Sequence, residues 1–356
     1  MNKSRDGFKS PFGFTVVHAI RKNFAFPLAV FVMSLALYLR SFFGSDKIRQ
    51  LTALKSGGSA TLELLRESGK FLIIGGSDNY MLTDILYFYT AAVVVLSTAL
   101  GIMLFRFVSS RAKNNIYFSL GISRAGLFSA HWLAGAVMLE AAVLLPLAFS
   151  AMLNLIYFGS SVMLWRTFLF YAVHNVICVL AGLTISAAVS SCVGTVVESL
   201  GFSAVLAAFP SVVTMCVNYS VPAILNGAPS KTYYDIYPVA SSFGENYLDM
   251  TNSTLFGRAI AHINLLMLNR SSFINSSSVE AMTKEAAKKW AAPSLTPYIL
   301  WAVLIAAFFV FGLFMFKRRK AEICGFPGRS AVLNFVLCMI ASFGAASLII
   351  YFIAYT

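Results

Sequence analysis

Residues 106–136 read RFVSSRAKNNIYFSLGISRAGLFSAHWLAGA. Arg106, Arg111 and Lys113 open this stretch, no acid occurs anywhere in it, and SLGISR at 119–124 leads straight back into apolar sequence. Long apolar segments flank it on both sides. A basic, acid-free loop between two bilayer-length apolar runs is retained on the cytoplasmic side of a membrane. The stretch therefore fixes both the class of the chain and its orientation. It is also long enough to form a short helix lying against the membrane, where a second protein can push on it.

Working outward, the composition agrees. Apolar residues make up 58% of the 356 residues and charged residues only 12%, where soluble proteins carry roughly a quarter charged. Many apolar runs reach the ~20 residues that cross a bilayer as helix. The expected fold is an all-α, polytopic helical membrane protein, one transmembrane domain over 1–356 with about six or seven transmembrane helices. The net charge of +13 does not indicate nucleic acid, because the cations collect at segment ends as membrane topology requires. Cys178, Cys192, Cys216, Cys324 and Cys338 lie in or beside apolar runs without a CxxC, which speaks against a disulfide scaffold or a zinc site. The first apolar run begins near Ala25 behind an amphipathic stretch and lacks a small-residue cleavage site, so no cleaved leader is expected.

In residues 1–24, Phe12, Val16, Val17, Ile20 and Phe24 recur at helical spacing, which predicts an interfacial helix flat on the inner leaflet. The spans are expected at 25–43, 83–107, 127–158, 167–192, 200–225 (interrupted by Pro210 and Pro222), 297–316 and 331–355. The loop at 108–126 and the basic segment at 317–330, which opens with KRRK, are expected inside, with a tight inner connection at 193–198. The long polar segments 44–82 and 226–294 are expected outside, the second with short helices over 233–269 resting on the outer face. Lys3, Arg5, Lys9, Arg21 and Lys22 place the N-terminus in the cytoplasm, and seven spans then put the C-terminus outside. Trp132, Trp165, Trp290 and Trp301 fall near span ends, as interfacial anchors do.

Sites of chemistry are sparse. The chain has no GxxxxGK[ST], HExxH or GxSxG and no carboxylate pair at helical spacing within a span, so no catalytic, cofactor-binding or metal-binding residue is assigned and no enzyme is expected. His131 and His174 lack a second ligand at i+3 or i+4 and read as packed histidines rather than metal ligands. Glu140 is the one acid deep in an apolar run. A carboxylate at that depth either lines a pathway and accepts protons or makes a structural hydrogen bond to a neighbouring span, for example to His174 or Asn175. Gly182, Ser186 and Ser190, at four-residue spacing, predict close helix packing rather than a site.

SLGISRAGLFSAHWLAG at 119–135 resembles the loop of the permease subunits of class-two ABC exporters, which reads approximately Ser-Leu-Pro-[IV]-Ser-Arg, two variable residues, Leu-[FL], then Leu-Ala-Gly. Ser119, Leu120, Ile122, Ser123, Arg124, Leu127, Phe128, Leu133, Ala134 and Gly135 match, and Gly121 stands where proline is usual. RRKAEICGFPG at 318–328 resembles the basic segment after span six in a Gram-positive bacterial branch of that family. The resemblance covers 12–327, and relatives in that branch often continue through further spans, which implies a short or truncated member. It implies a multi-pass protein of the plasma membrane exporting a lipid, peptide, drug or polysaccharide. ATP is bound and hydrolysed by a separate ATPase subunit, with no cofactor on this chain, and the permeases pair as a homodimer or with a second permease.

The resemblance makes 108–126 the coupling loop. With no nucleotide-binding loop of its own, the chain must receive energy through contact. Phe118, Ile122 and Leu127 are expected to fill a groove on the ATPase, with Ser119, Leu120, Gly121, Ser123 and Arg124 completing the interface. Two other classes compete: a membrane sensor or assembly protein that binds through its outer segment, and an integral-membrane transferase, which needs clustered acids or histidines near a membrane face that the sequence lacks.

Overall fold

The computed structural model describes residues 11–43, 79–119, 121–158, 165–207 and 296–319, with a few single positions between 334 and 346. Residues 1–10, most of 44–82, the part of span five after 207, the outer segment 226–294, all but Lys317, Arg318 and Arg319 of the basic segment 317–330, and nearly all of span seven lie outside the described residues. Helices are the only regular structure among the described residues: α1 Pro11–Asn23, α2 Ala25–Phe43, α3 Asn79–Phe105, α4 Arg111–Ser119, α5 Arg124–Phe158, α6 Trp165–Cys192, α7 Val196–Ala207 and α8 Thr296–Arg318. Among them α3, α5, α6 and α8 are long and apolar enough to cross a membrane, and a fifth span is reached if the bent pair of α1 and α2 counts as one.

The helix α2 starts and stops where the apolar run does, and α5, α6 and α8 differ from the expected spans by only a few residues at each end. At about 1.5 Å per residue, the 35 residues of α5 run about 50 Å, well beyond a ~30 Å hydrocarbon layer. It therefore tilts or projects past the membrane face. Between α6 and α7 the turn is set by Thr195 and Glu198. The Glu198 amide donates to Thr195 Oγ1 at 3.3 Å, and the Thr195 amide donates to Glu198 Oε2 at 3.3 Å. This reciprocal pair starts α7 as a capping box.

At the centre stands α6, where every residue from Ala181 to Cys192 is buried. It packs against α3, α5 and α8. Small residues make this possible. A Cβ at Gly182 would come within 2.7 Å of the Val94 carbonyl on α3, and one at Gly312 of α8 within 2.9 Å of the Ala188 backbone. Ser186 faces Gly101 across the same α3–α6 seam. Such close approach substitutes dispersion contact for the hydrophobic drive that is missing between helices in lipid.

The packing adds a contact to one sequence expectation and corrects another. A helix forms over the N-terminal stretch, meets α2 at a 61° bend and docks on α5. Thr15 and Ala19 are buried, Val16 and Ile20 pack against the core, and Phe14 and Phe24 point outward. Small side chains at 15 and 19 let α1 approach α5, so this face meets protein rather than lipid. The indoles of Trp132 and Trp301 also turn inward: Trp301 is buried, and Trp132 Nε1 donates to Thr184 Oγ1 at 2.9 Å. An indole N–H with a partner inside the bundle has no need of the headgroup layer.

Candidate functional site

The loop between α3 and α5 is built from the end of α3 upward. After Phe105 the chain tightens into a 3-10 turn over Arg106–Ser109, and Ser110 is extended, which ends the turn. The Asn114 amide then donates to the Ser110 carbonyl at 2.8 Å, and α4 begins. This short helix has two unlike sides. Asn114 is fully buried and Tyr117 and Phe118 are half-buried, while Arg111, Lys113, Asn115, Ile116 and Ser119 are exposed.

Aromatic contacts hold the inner side of α4. The Tyr117 ring lies 4.3 Å from Phe107 and 5.7 Å from His131, with Lys22 of α1 above it at 5.9 Å. Phe118 meets Phe316 of α8 edge-on at 5.8 Å and carries the Arg124 guanidinium over its other contact surface at 4.7 Å. Beneath them Phe105, Phe128 and Phe316 pack on one another. Pairs of this kind add about 0.5–1.5 kcal/mol each beyond their buried area.

The turn into α5 is capped by the sequence that suggested the resemblance. Ser123 Oγ accepts the Gly126 amide at 3.1 Å, and the Ser123 carbonyl accepts the Leu127 amide at 2.9 Å. Ser123 is thus the N-cap of α5. Arg124, the first residue of that helix, donates through Nη1 to the carbonyls of Lys317 (3.1 Å) and Arg319 (2.9 Å) at the end of α8.

Arg319 extends the network inward. It is 3% exposed. Its Nη1 donates to the carbonyls of Ser190 (3.1 Å) and Ser191 (2.8 Å) at the C-terminus of α6, and its Nη2 donates to the Val108 carbonyl at 3.1 Å in the 3-10 turn. The last carbonyls of a helix have no partner within it and carry partial negative charge, so a guanidinium fork suits them. Through Arg124 and Arg319 the loop-side ends of α3, α5, α6 and α8 are tied to one another beside α4.

Of the residues expected at a partner interface, Ser119, Gly121, Ser123 and Arg124 are exposed, Phe118 and Ile122 are half-buried, and Leu120 lies outside the described residues. Leu127 does not face outward: at 1% exposure it belongs to the chain's own core, because it falls on the buried side of α5 with Phe128 and His131. Among the described residues of the loop, the large apolar side chain that stands exposed is Ile116, at 64%. Arg319 was hidden among four consecutive cations whose presence topology alone explains. Only its position just past the end of α8 sets it apart.

The second candidate, Glu140, lies in the body of the bundle. Both carboxyl oxygens are buried without a hydrogen-bond partner, so the structural bond expected to His174 or Asn175 is not made. His174, on α6, turns Nε2 toward Cys178 Sγ at 3.6 Å and stacks edge-on with Tyr298 at 6.1 Å. Among the described residues no three His, Cys, Asp or Glu side chains are grouped to hold a metal ion.

No family model matches the chain, and no curated protein or solved structure matches it.

Proposed function

We propose that this chain is the membrane permease subunit of an ATP-binding-cassette exporter in the plasma membrane. A separate ATPase docks on α4 and on the turn into α5 and drives it. The observation that carries the reading is the combination at that loop. Ile116, Ser119 and Ser123 stand exposed, while the same loop is bound through Arg124 and Arg319 to the inner ends of the long helices. An element built this way is suited to receive force from outside the membrane and pass it into the spans. The orientation is supported by Lys22, Arg124, Lys317 and Arg319, which meet at one end of the bundle, the cytoplasmic end under the positive-inside rule. On this reading the N-terminus is cytoplasmic, the complete chain has six or seven spans, two permeases pair, and the cargo is a lipid, peptide, drug or polysaccharide.

Co-purification from the native membrane tests the reading. The wild-type chain is expected to carry a P-loop ATPase, identified by mass spectrometry, and Ile116→Asp is expected to release it while leaving yield and thermal unfolding unchanged. A wild-type chain that purifies without any ATPase under conditions preserving other such complexes would overturn the reading.

A further inference from the structure

The last turn of α8 carries Lys317 and Arg318, both exposed, beside the buried Arg319. The Arg318 guanidinium lies over the Phe314 ring, 4.1 Å from its centre. Four residues is the spacing at which a helical side chain reaches back over the preceding turn. Phe314 is 45% exposed, and Val310 and Phe311, one turn further into the span, are exposed as well. Among the described residues nothing covers this face. On a helix of bilayer-spanning length, an open apolar face meets acyl chains. A cation held over the last exposed ring of such a span stands where hydrocarbon gives way to headgroups.

Nothing on the chain balances these two charges. No carboxylate pairs with Lys317 or Arg318 among the described residues. The last carbonyls of a helix carry partial negative charge and ordinarily offset cations in its final turn. Here a third cation has taken them: Arg124 Nη1 donates to the carbonyls of Lys317 at 3.1 Å and Arg319 at 2.9 Å. The neighbouring helix α4, which meets α8 through Phe118 on Phe316, adds exposed Arg111 and Lys113 and no acid. Glu198, in the turn between α6 and α7, is engaged by the amide and hydroxyl of Thr195. Like charges gathered in this way repel one another and attract an anion from outside the chain.

The chemistry of that anion follows from the two surfaces that meet here. The apolar face of Val310, Phe311 and Phe314 takes acyl chains, and the cations take phosphate oxygens, for which the guanidinium fork is shaped. A phospholipid joins both parts in one molecule. Its net charge decides the kind. A zwitterionic headgroup brings its own ammonium against Lys317 and Arg318, while an anionic headgroup brings none. We propose that Lys317 and Arg318, backed by Phe314, form a binding site for the headgroup of an anionic phospholipid. The site does not use Ile116 or the outer side of α4, so it holds whether or not an ATPase docks there.

The purified chain, free of any ATPase, is titrated in neutral detergent with phosphatidylglycerol and, in parallel, with phosphatidylcholine of the same acyl chains. Native mass spectrometry counts the lipids bound. Each basic residue at a membrane surface favours anionic lipid on the order of fivefold, so the wild type is expected to bind phosphatidylglycerol saturably and about tenfold tighter than phosphatidylcholine. Lys317→Gln combined with Arg318→Gln is expected to remove most of that preference. Phe314→Leu, which keeps an apolar side chain but frees Arg318, is expected to weaken it about threefold. Arg111→Gln combined with Lys113→Gln removes the same charge from α4 and is expected to change it by less than about twofold. Equal affinity for the two lipids in the wild type, a comparison that needs no variant to fold, would overturn the proposal. So would an equal loss in the two double variants, which would make the preference a property of overall charge. Displacement of the lipid by millimolar inorganic phosphate would assign the cations to a free anion and overturn it too. The ATPase reading is tested separately at Ile116, so failure here leaves that reading in place.

Discussion

Arg319 and Glu140 are both ionisable groups inside a chain that is only 12% charged, and they are housed in opposite ways. Arg319 donates to three backbone carbonyls contributed by α6 and the 3-10 turn, and it sits where helix C-termini leave such carbonyls without partners. Glu140 is half-buried, yet both its carboxyl oxygens are covered and meet no donor. At the loop end of the bundle Arg124 and Arg319 tie the backbone carbonyls of three elements into a joint. In the body of the bundle the Glu140 carboxyl is left open. A membrane protein can tolerate the first arrangement as architecture, while the second is disfavoured unless something else completes it.

Substitutions at the two places should therefore differ in sign. The largest effect is expected for Arg319→Ala, which strips three buried carbonyls of their partner. At ~1–3 kcal/mol for each buried group left unsatisfied, the loss should be at least about 3 kcal/mol. Arg319→Lys should recover less than half of it, since an ammonium cannot reproduce the fork. Thermal unfolding of the purified protein reads both, and an alanine variant that melts with the wild type would dissolve the joint. Glu140→Met should go the other way. Replacing an unpaired buried carboxyl by an apolar side chain of similar size should raise stability by about 1 kcal/mol. A loss of that size instead would mean the carboxyl has a structural partner and would erase the contrast. Ser123→Ala, at the N-cap of α5, should cost about 1 kcal/mol, with Ser123→Asp restoring most of it. The smallest change belongs to Gly121. A Cβ there meets nothing within 4 Å, so Gly121→Ala should shift stability by less than ~0.5 kcal/mol in the same melt. A larger drop would show that the turn depends on glycine.

Much of the fold was legible because bilayer length is a strict ruler. Apolar runs at 25–43, 127–158, 167–192 and 297–316 became α2, α5, α6 and α8 with ends shifted by only a few residues. The small-residue stripe of Gly182 and Ser186 was readable for the same kind of reason, since close helix approach permits few other side chains. Helical spacing tells which residues share a face but not what that face meets. Hence Val16 and Ile20 read as lipid-facing yet pack on the core, and Leu127 read as a docking anchor yet is buried. Arg319 was indistinguishable from Lys317, Arg318 and Lys320 until α8 was seen to stop beside it. Thr195 and Glu198 carried a readable capping signal, threonine followed three residues later by glutamate, that the hydropathy of the surrounding spans overshadowed. That Glu140 stands unpaired depends on what the tertiary packing places around it, which no local pattern records.

The central claim, that the loop over the joint is where a driving ATPase presses, is tested most directly in the living cell. A photo-crosslinking amino acid is placed at Ile116, exposed on the outer side of α4, and another at Phe311, which is partly exposed on the membrane span α8. The account expects an adduct from Ile116 whose second chain is a P-loop ATPase, with none from Phe311. Adducts with lipid alone at both positions, or an ATPase trapped equally from both, would contradict it.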